Sequence, residues 1–148
     1  MAADAWVVYD EFKQTMAAGP VDLDADTFKV VLTSSTNNVT TVSPEVYANL
    51  TGELSTAFGY TAGGATLGSV TWTENAGTVT FDFADPSWTA SGGSIVARYA
   101  VVYDDTPTSP ADPLVGYSLL DNTPADVTTT TGNTLTLVIN SSGMFTLA

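Results

Sequence analysis

The chain contains no cysteine and no histidine. These two absences exclude disulfide bridges, thiol nucleophiles, histidine-based metal sites and Ser-His catalysis. They leave the redox compartment open. Basic residues are nearly absent too: Lys13, Lys29 and Arg98 stand against 16 acids, for a net charge of −13. Binding to nucleic acid needs cations that displace counterions from phosphate, so no nucleic acid is expected as a partner. Anionic membranes are disfavoured on the same ground. No apolar run approaches about 18 residues, so no membrane span is expected. No N-terminal apolar run reaches signal-peptide length, and the chain is not expected to be secreted.

Charge of both signs is scarce, at 13% of residues, where about 25% is usual. Thr, Ser, Gly and Asn take the place of charge. The surface they make is neutral and rich in hydroxyls, which suits strand faces and extensive contact with other proteins. The acids that remain keep such a chain soluble. At 148 residues the length suits one domain, residues 1–148. Folding at this length buries roughly 68–70% of the chain's surface, enough for an independent core.

The strongest strand signal lies in 78–105. Val79, Phe81 and Phe83 alternate with Thr78, Thr80 and Asp82. Pro86 breaks that run, Ser91-Gly92-Gly93 turns it, and Ser94 to Tyr103 reads as a second strand, apolar on both faces and so interior to a sheet. Thr27 to Ser34 is a strand with Phe28, Val30 and Leu32 on one face. Val39 to Val42 is a short strand. Residues 43–64 are irregular, punctuated by Pro44, Gly52, Gly59 and Gly63-Gly64 and anchored by Tyr47, Leu50, Leu54, Phe58 and Tyr60. A long anchored loop is often functional, or it closes one end of a sandwich. Ala65 to Trp72 and Thr78 to Phe83 read as a hairpin around 74–77. Pro113 to Leu120, the run TLTLVIN at 134–140, and Met144 to Leu147 complete the strands, with a Thr-rich turn over 121–131. Regular short strands and turns predict an all-β fold, an antiparallel β-sandwich of jelly-roll or immunoglobulin-like type.

One helix is expected, over 4–18, within an N-terminal segment covering residues 1–20. Asp4 is its candidate cap, and Gly19-Pro20 stops it. Trp6, Tyr9, Phe12 and Met16 form its apolar stripe. That stripe is a candidate subunit or shell contact, or it packs on the chain's own sandwich.

The residues that could carry chemistry are few. Asp22, Asp24 and Asp26 alternate like the start of a calcium loop, but Thr27 stands where glycine is needed and Thr33 where glutamate is needed. A solvated turn is the expected identity. Arg98, the single arginine, has no phosphate loop or base to work with; it pairs with an acid or crosses an interface. Asp82 with Asp85, or Asp104 with Asp105, could be named as a carboxylate pair, yet no constellation surrounds them, and no enzyme is expected. Tyr60, Trp72 and Trp88 could form a stacking platform for sugar rings. The alternative is that the tryptophans are core or interface residues.

Four stretches carry a family resemblance: GELSTAFGYTAGGATL (52–67), FADPSWTASGGSIVARYAVVYDD (83–105), PLVGYSLLD (113–121) and TGNTLTLVINSSGMFTL (131–147). They are spread over residues 52–147, about two-thirds of the chain. They resemble a family of small tailed-bacteriophage proteins that share a Gly-Tyr-Thr-Ala-Gly-Gly segment, a Trp-Thr-Ala stretch, an Ala-Arg-Tyr-Ala strand and a C-terminal Gly-Asn hairpin. The resemblance implies a virion structural protein: a capsid decoration (cement) protein on the head, or a tail, neck or fibre component. It implies a homo-oligomer, commonly a homotrimer, contacting the major capsid protein or another virion protein. It also implies synthesis in the host cytoplasm and a final place on the virion, at the capsid surface. No cofactor is implied.

Overall fold

The computed structural model describes residues 3–148, so the first two residues of the N-terminal segment lie outside the description. The strands are β1 (Val7–Val8), β2 (Phe28–Thr33), β3 (Ala65–Thr66), β4 (Thr71–Asn75), β5 (Thr78–Asp82) and β6 (Ser87–Thr89). They continue as β7 (Ile95–Ala97), β8 (Tyr99–Asp104), β9 (Leu114–Leu119), β10 (Val127–Thr129), β11 (Thr134–Thr136) and β12 (Phe145–Leu147). One α-helix, α1 (Asp10–Ala18), and a 3-10 turn at Tyr47–Asn49 complete the set. All strand pairings among the described residues are antiparallel. The fold is therefore all-β and sandwich-like, with one short helix.

The largest sheet has the order β1-β9-β8-β2-β3. A three-stranded sheet, β12-β5-β4, faces it. The two meet through aromatic rings, with Phe28 edge-on to Phe81 at 5.0 Å. Phe28, Val30 and Leu32 share this inner face, as the alternation in 27–34 requires, and all three are fully buried. The opposite face of the large sheet is covered as well. Tyr9, Val39, Val42 and Tyr47 close over it, with the Tyr9 hydroxyl donating to the Val39 carbonyl at 2.8 Å and Tyr47 stacked on Tyr103 at 4.4 Å. The loop over 43–64 is thus part of the core's cover. Two of its glycines are required by close approach: a Cβ on Gly59 would collide with the Thr89 carbonyl, and one on Gly64 with the Val30 carbonyl.

β6, β7, β10 and β11 make two short pairs, β11-β6 and β10-β7. Two backbone bonds and one side-chain bond link them. The Ala90 N–H donates to the Asn133 carbonyl at 2.9 Å and the Gly132 N–H to the Ala90 carbonyl at 2.7 Å. The Thr131 hydroxyl donates to the Gly93 carbonyl at 2.9 Å. The result is one long ribbon, 87–97 against 127–136.

Several expectations are corrected. The helix begins at Asp10 and not at residue 4. Asp4 to Tyr9 is extended along β9: the Asp4 N–H donates to the Leu119 carbonyl and the Tyr9 N–H to the Val115 carbonyl. Val7 and Val8 are β-branched and gain a free sheet edge there. Asp4 therefore caps nothing. The helix start is closed by Glu45, whose Oε2 accepts the Glu11 N–H at 2.7 Å, while Glu11 returns the bond to the Glu45 N–H at 2.8 Å. A carboxylate at the positive end of a helix is favourable. The stop is as expected: Gly19 is left-handed and its N–H donates to the Thr15 carbonyl.

Val39 to Val42 is a turn, with both valines buried. The run 94–103 splits at Arg98 into β7 and β8, which join different sheets. At that corner the Arg98 N–H goes to the Thr33 carbonyl, and the Arg98 carbonyl takes the Leu120 N–H. The hairpin expected from 65–72 is β4-β5, with Ala65–Thr66 paired instead to β2. Its turn is Ala76-Gly77, both at positive φ. Part of the Thr-rich stretch 121–131 is a strand, β10.

Candidate interaction face

The N-terminal stripe is largely inside. Tyr9 is 5% and Phe12 1% exposed, and Trp6 and Met16 are partly buried against the same core. Phe12 lies edge-on to Phe145 at 6.3 Å and Trp6 edge-on to Phe83 at 6.5 Å. This segment is part of its own sandwich. Arg98 finds its acid within the chain: its Nε donates to Asp126 at 2.7 Å, and a second nitrogen donates to the Pro124 carbonyl at 3.2 Å.

The three candidate stacking aromatics do not form an exposed platform. Tyr60 is 2% and Trp88 6% exposed, with their rings 6.5 Å apart inside the fold. Trp72 sits on the other sheet, against Phe145 at 5.9 Å. Tyr60 is instead a polar bridge. It accepts the Leu32 N–H at 3.2 Å and donates to Glu53 at 2.7 Å. Glu53 also accepts from the Tyr47 hydroxyl at 2.6 Å and the Gly63 N–H at 2.6 Å. Desolvation, with the nearby carboxylate adding, pushes the Tyr47 and Tyr60 hydroxyls well above the ordinary range. This cluster pins the 43–64 loop to the large sheet. Sequence reasoning named its tyrosines as anchors and missed Glu53 as their common acceptor.

Asp22, Asp24 and Asp26 form the expected turn. Asp26 accepts the Asp22 N–H at 2.7 Å, and Asp22 accepts the Asp24 N–H at 3.1 Å. Asp82 accepts the adjacent Phe83 N–H at 2.9 Å, and Asp85 accepts the distant Ile139 N–H at 2.8 Å.

The feature that stands apart is a face without charge. Residues 54–73, 86–97 and 127–148 contain no Asp, Glu, Lys or Arg. The fold brings parts of all three together. The Ser91 N–H donates to the Phe58 carbonyl at 3.1 Å, which ties the 54–60 loop to the ribbon. Within the strands of the ribbon and the 137–139 stretch that follows, burial alternates. Trp88, Ala90, Ile95, Val127, Leu137 and Ile139 point inward and are buried. Ser87, Thr89, Val96, Thr128, Thr134, Thr136 and Val138 point outward. The outward row is hydroxyls and valines only. Val138 is 72% exposed, and Phe58 is 49% exposed beside Val96. Leu54, Phe58, Tyr60, Ile95 and Val96 line a shallow apolar groove of about 300 Å³. Phe58 is held at φ 54, a conformation costly for an aromatic residue. All 16 acids lie outside these stretches, with Glu53, Glu74, Asp85 and Asp126 at their borders. Among the described residues no helix is long and apolar enough to cross a membrane.

No family model, no curated protein and no solved structure matches this chain.

Proposed function

We propose that the protein is a non-enzymatic structural component of a bacteriophage virion, a decoration subunit that binds the assembled head as a homo-oligomer. The observation that carries this reading is the uncharged outer row of the ribbon. A chain with a net charge of −13 repels copies of itself and other acidic surfaces. A face of Thr, Ser and Val on a rigid ribbon can be brought against another protein without that repulsion and without desolvating charge. Exposed apolar residues gathered on one face are the usual mark of such a site. The mechanism is linkage: subunits that bind only the assembled shell stabilise it by mass action. The family resemblance in 52–67, 83–105, 113–121 and 131–147 supplies the virion context. In this reading the facing sheets are a sandwich of the jelly-roll or immunoglobulin-like kind.

The test is co-sedimentation with empty heads of the encoding phage, with light scattering for the free protein. Wild type should pellet with heads. The double change Val96→Asp, Val138→Asp should reduce the pelleted fraction at least tenfold while circular dichroism and melting temperature stay unchanged. A folded double variant that binds heads as wild type does would remove the ribbon face from the proposal. A wild type that ignores heads would remove the decoration role.

A further inference from the structure

The turn over residues 22–26 meets the end of β8 at two carboxyl groups. Asp104, the last residue of β8, is 0% exposed. Its Oδ1 accepts the Thr106 N–H at 3.1 Å. Its Oδ2 is sealed from solvent, and no protein donor reaches it. The Asp105 N–H donates to the Thr27 carbonyl at 2.8 Å and the Thr27 N–H to the Thr106 hydroxyl at 2.8 Å, and these two bonds set the neighbouring Asp26 carboxyl against Asp104. Asp105 is the other acid facing the pair, and it already holds Lys29 at 2.8 Å. Lys29 cannot also serve Asp104. On β2 it is Phe28 that lies opposite Asp104, and Lys29 stands on the other face of the sheet. The site therefore holds two carboxyl groups in contact, one of them buried with an idle oxygen and no cation. Two ionised carboxylates do not remain in such contact, because the repulsion adds to the desolvation of each. One proton removes the repulsion and employs the idle oxygen.

We infer that Asp104 and Asp26 form a one-proton site, in which Asp104 carries the proton and donates it to Asp26. The shared proton clasps the 22–26 turn to the end of the large sheet. Burial first, then the neighbouring Asp26 and Asp105 charges, pushes the Asp104 carboxyl up to about 7, against roughly 4 for an unfolded aspartate. Between those values the native state binds a proton that the unfolded state has lost. Stability from this site is therefore full below about pH 4, falls as pH rises towards 7, and is level above it.

Asp104→Asn tests the site. The amide keeps the shape and donates to Asp26 at every pH. At pH 3.5 the variant and wild type should melt together. At pH 8 the variant should melt higher, by about 8–15 °C. A variant that melts lower than wild type at pH 8 overturns the inference. The carboxyl carbon shifts of wild type, followed by NMR against pH, give a second reading that does not depend on the variant folding. One aspartate should titrate near neutrality; titration of every aspartate below pH 5 would refute the shared proton. Calcium chloride at pH 8 should leave the wild-type melting temperature unchanged. A rise seen in wild type and absent from the variant would assign the pair to a cation instead, and overturn the proposal.

Discussion

The large sheet and the long ribbon are made of similar strands and put them to different use. In β8 every residue after Tyr99 is buried, because the small sheet covers one face and the 43–64 loop the other. In the ribbon only alternate residues are buried. Each residue of the sheet is thus tied to the fold twice, by the ladder and by packing. The outward row of the ribbon is tied only by the ladder. Its side chains carry little of the folding energy, and on an acidic protein such a row would ordinarily carry acids. It carries none. The difference shows where packing dictates residue type and where it leaves residue type free.

The comparison is broken most directly by truncating one residue of each kind. Phe28→Ala removes a fully buried ring that meets Phe81 at 5.0 Å. The expected cost is about 3–5 kcal/mol, a large share of the roughly 5–15 kcal/mol that holds a domain folded. Urea unfolding should show the midpoint collapse, or no folded protein at all. Val138→Asp, at a position 72% exposed, should move the midpoint by no more than about 0.5 kcal/mol. A loss at Val138 equal to that at Phe28 would mean that the ribbon's outer row is core after all.

The same contrast explains what could be read from the sequence. β2, β9 and β12 were legible because alternation and flanking turn residues agree there, and Gly19 marked the helix end for a local reason. The N-terminal strand was not. Trp6, Tyr9, Phe12 and Met16 fit helical spacing, yet Trp6 lies before the helix and Val7–Val8 pairs with β9 across a gap of more than a hundred residues. Local spacing cannot report a partner that distant. The break at Arg98 was hidden for a similar reason. No glycine or proline marks it; the chain changes sheets because Thr33 and Leu120 take its backbone groups. β10 was masked by a run of threonines whose burial alternates only once β7 lies beside it. The uncharged face was visible only as scarcity of charge. Its gathering on one surface depends on contacts such as Ser91 to Phe58. Tyr60, Trp72 and Trp88 read together as a candidate platform, but the fold turns Tyr60 and Trp88 inward and puts Trp72 on another sheet.

A smaller effect is expected where the loop is pinned to the large sheet. Glu53→Ala leaves two tyrosine hydroxyls and the Gly63 N–H without their acceptor. Hydrogen bonds to a charged group contribute about 1.5–3 kcal/mol each, less where water can replace the partner. Glu53 is half-buried, so a total near 2 kcal/mol is expected. Thermal unfolding measures the loss, and hydrogen exchange should localise it to residues 43–64. The ribbon amides should keep their protection. Loss of protection in the ribbon would show that the two regions open together, and the contrast between them would fail.

The smallest effect tests the ribbon's outer row itself. The Thr89 and Thr134 hydroxyls meet across the β6-β11 pair at 2.8 Å, on the exposed side. Cross-strand pairs of this kind contribute roughly 0.2–1 kcal/mol. Thr134→Ala removes one hydroxyl and leaves the other to water, so it should cost about 0.5 kcal/mol and lower the melting temperature by about 1–2 °C. The backbone bonds of the pair do not depend on the side chain, and Trp88 and Leu137 stay packed beneath. If the outer row exists for contact, head binding should fall more than stability does, because the lost hydroxyl is then missing from a water-poor interface where its partner has no substitute. Binding by Thr134→Ala that matches wild type, beside a stability loss of 2 kcal/mol or more, would place this row in the service of the fold.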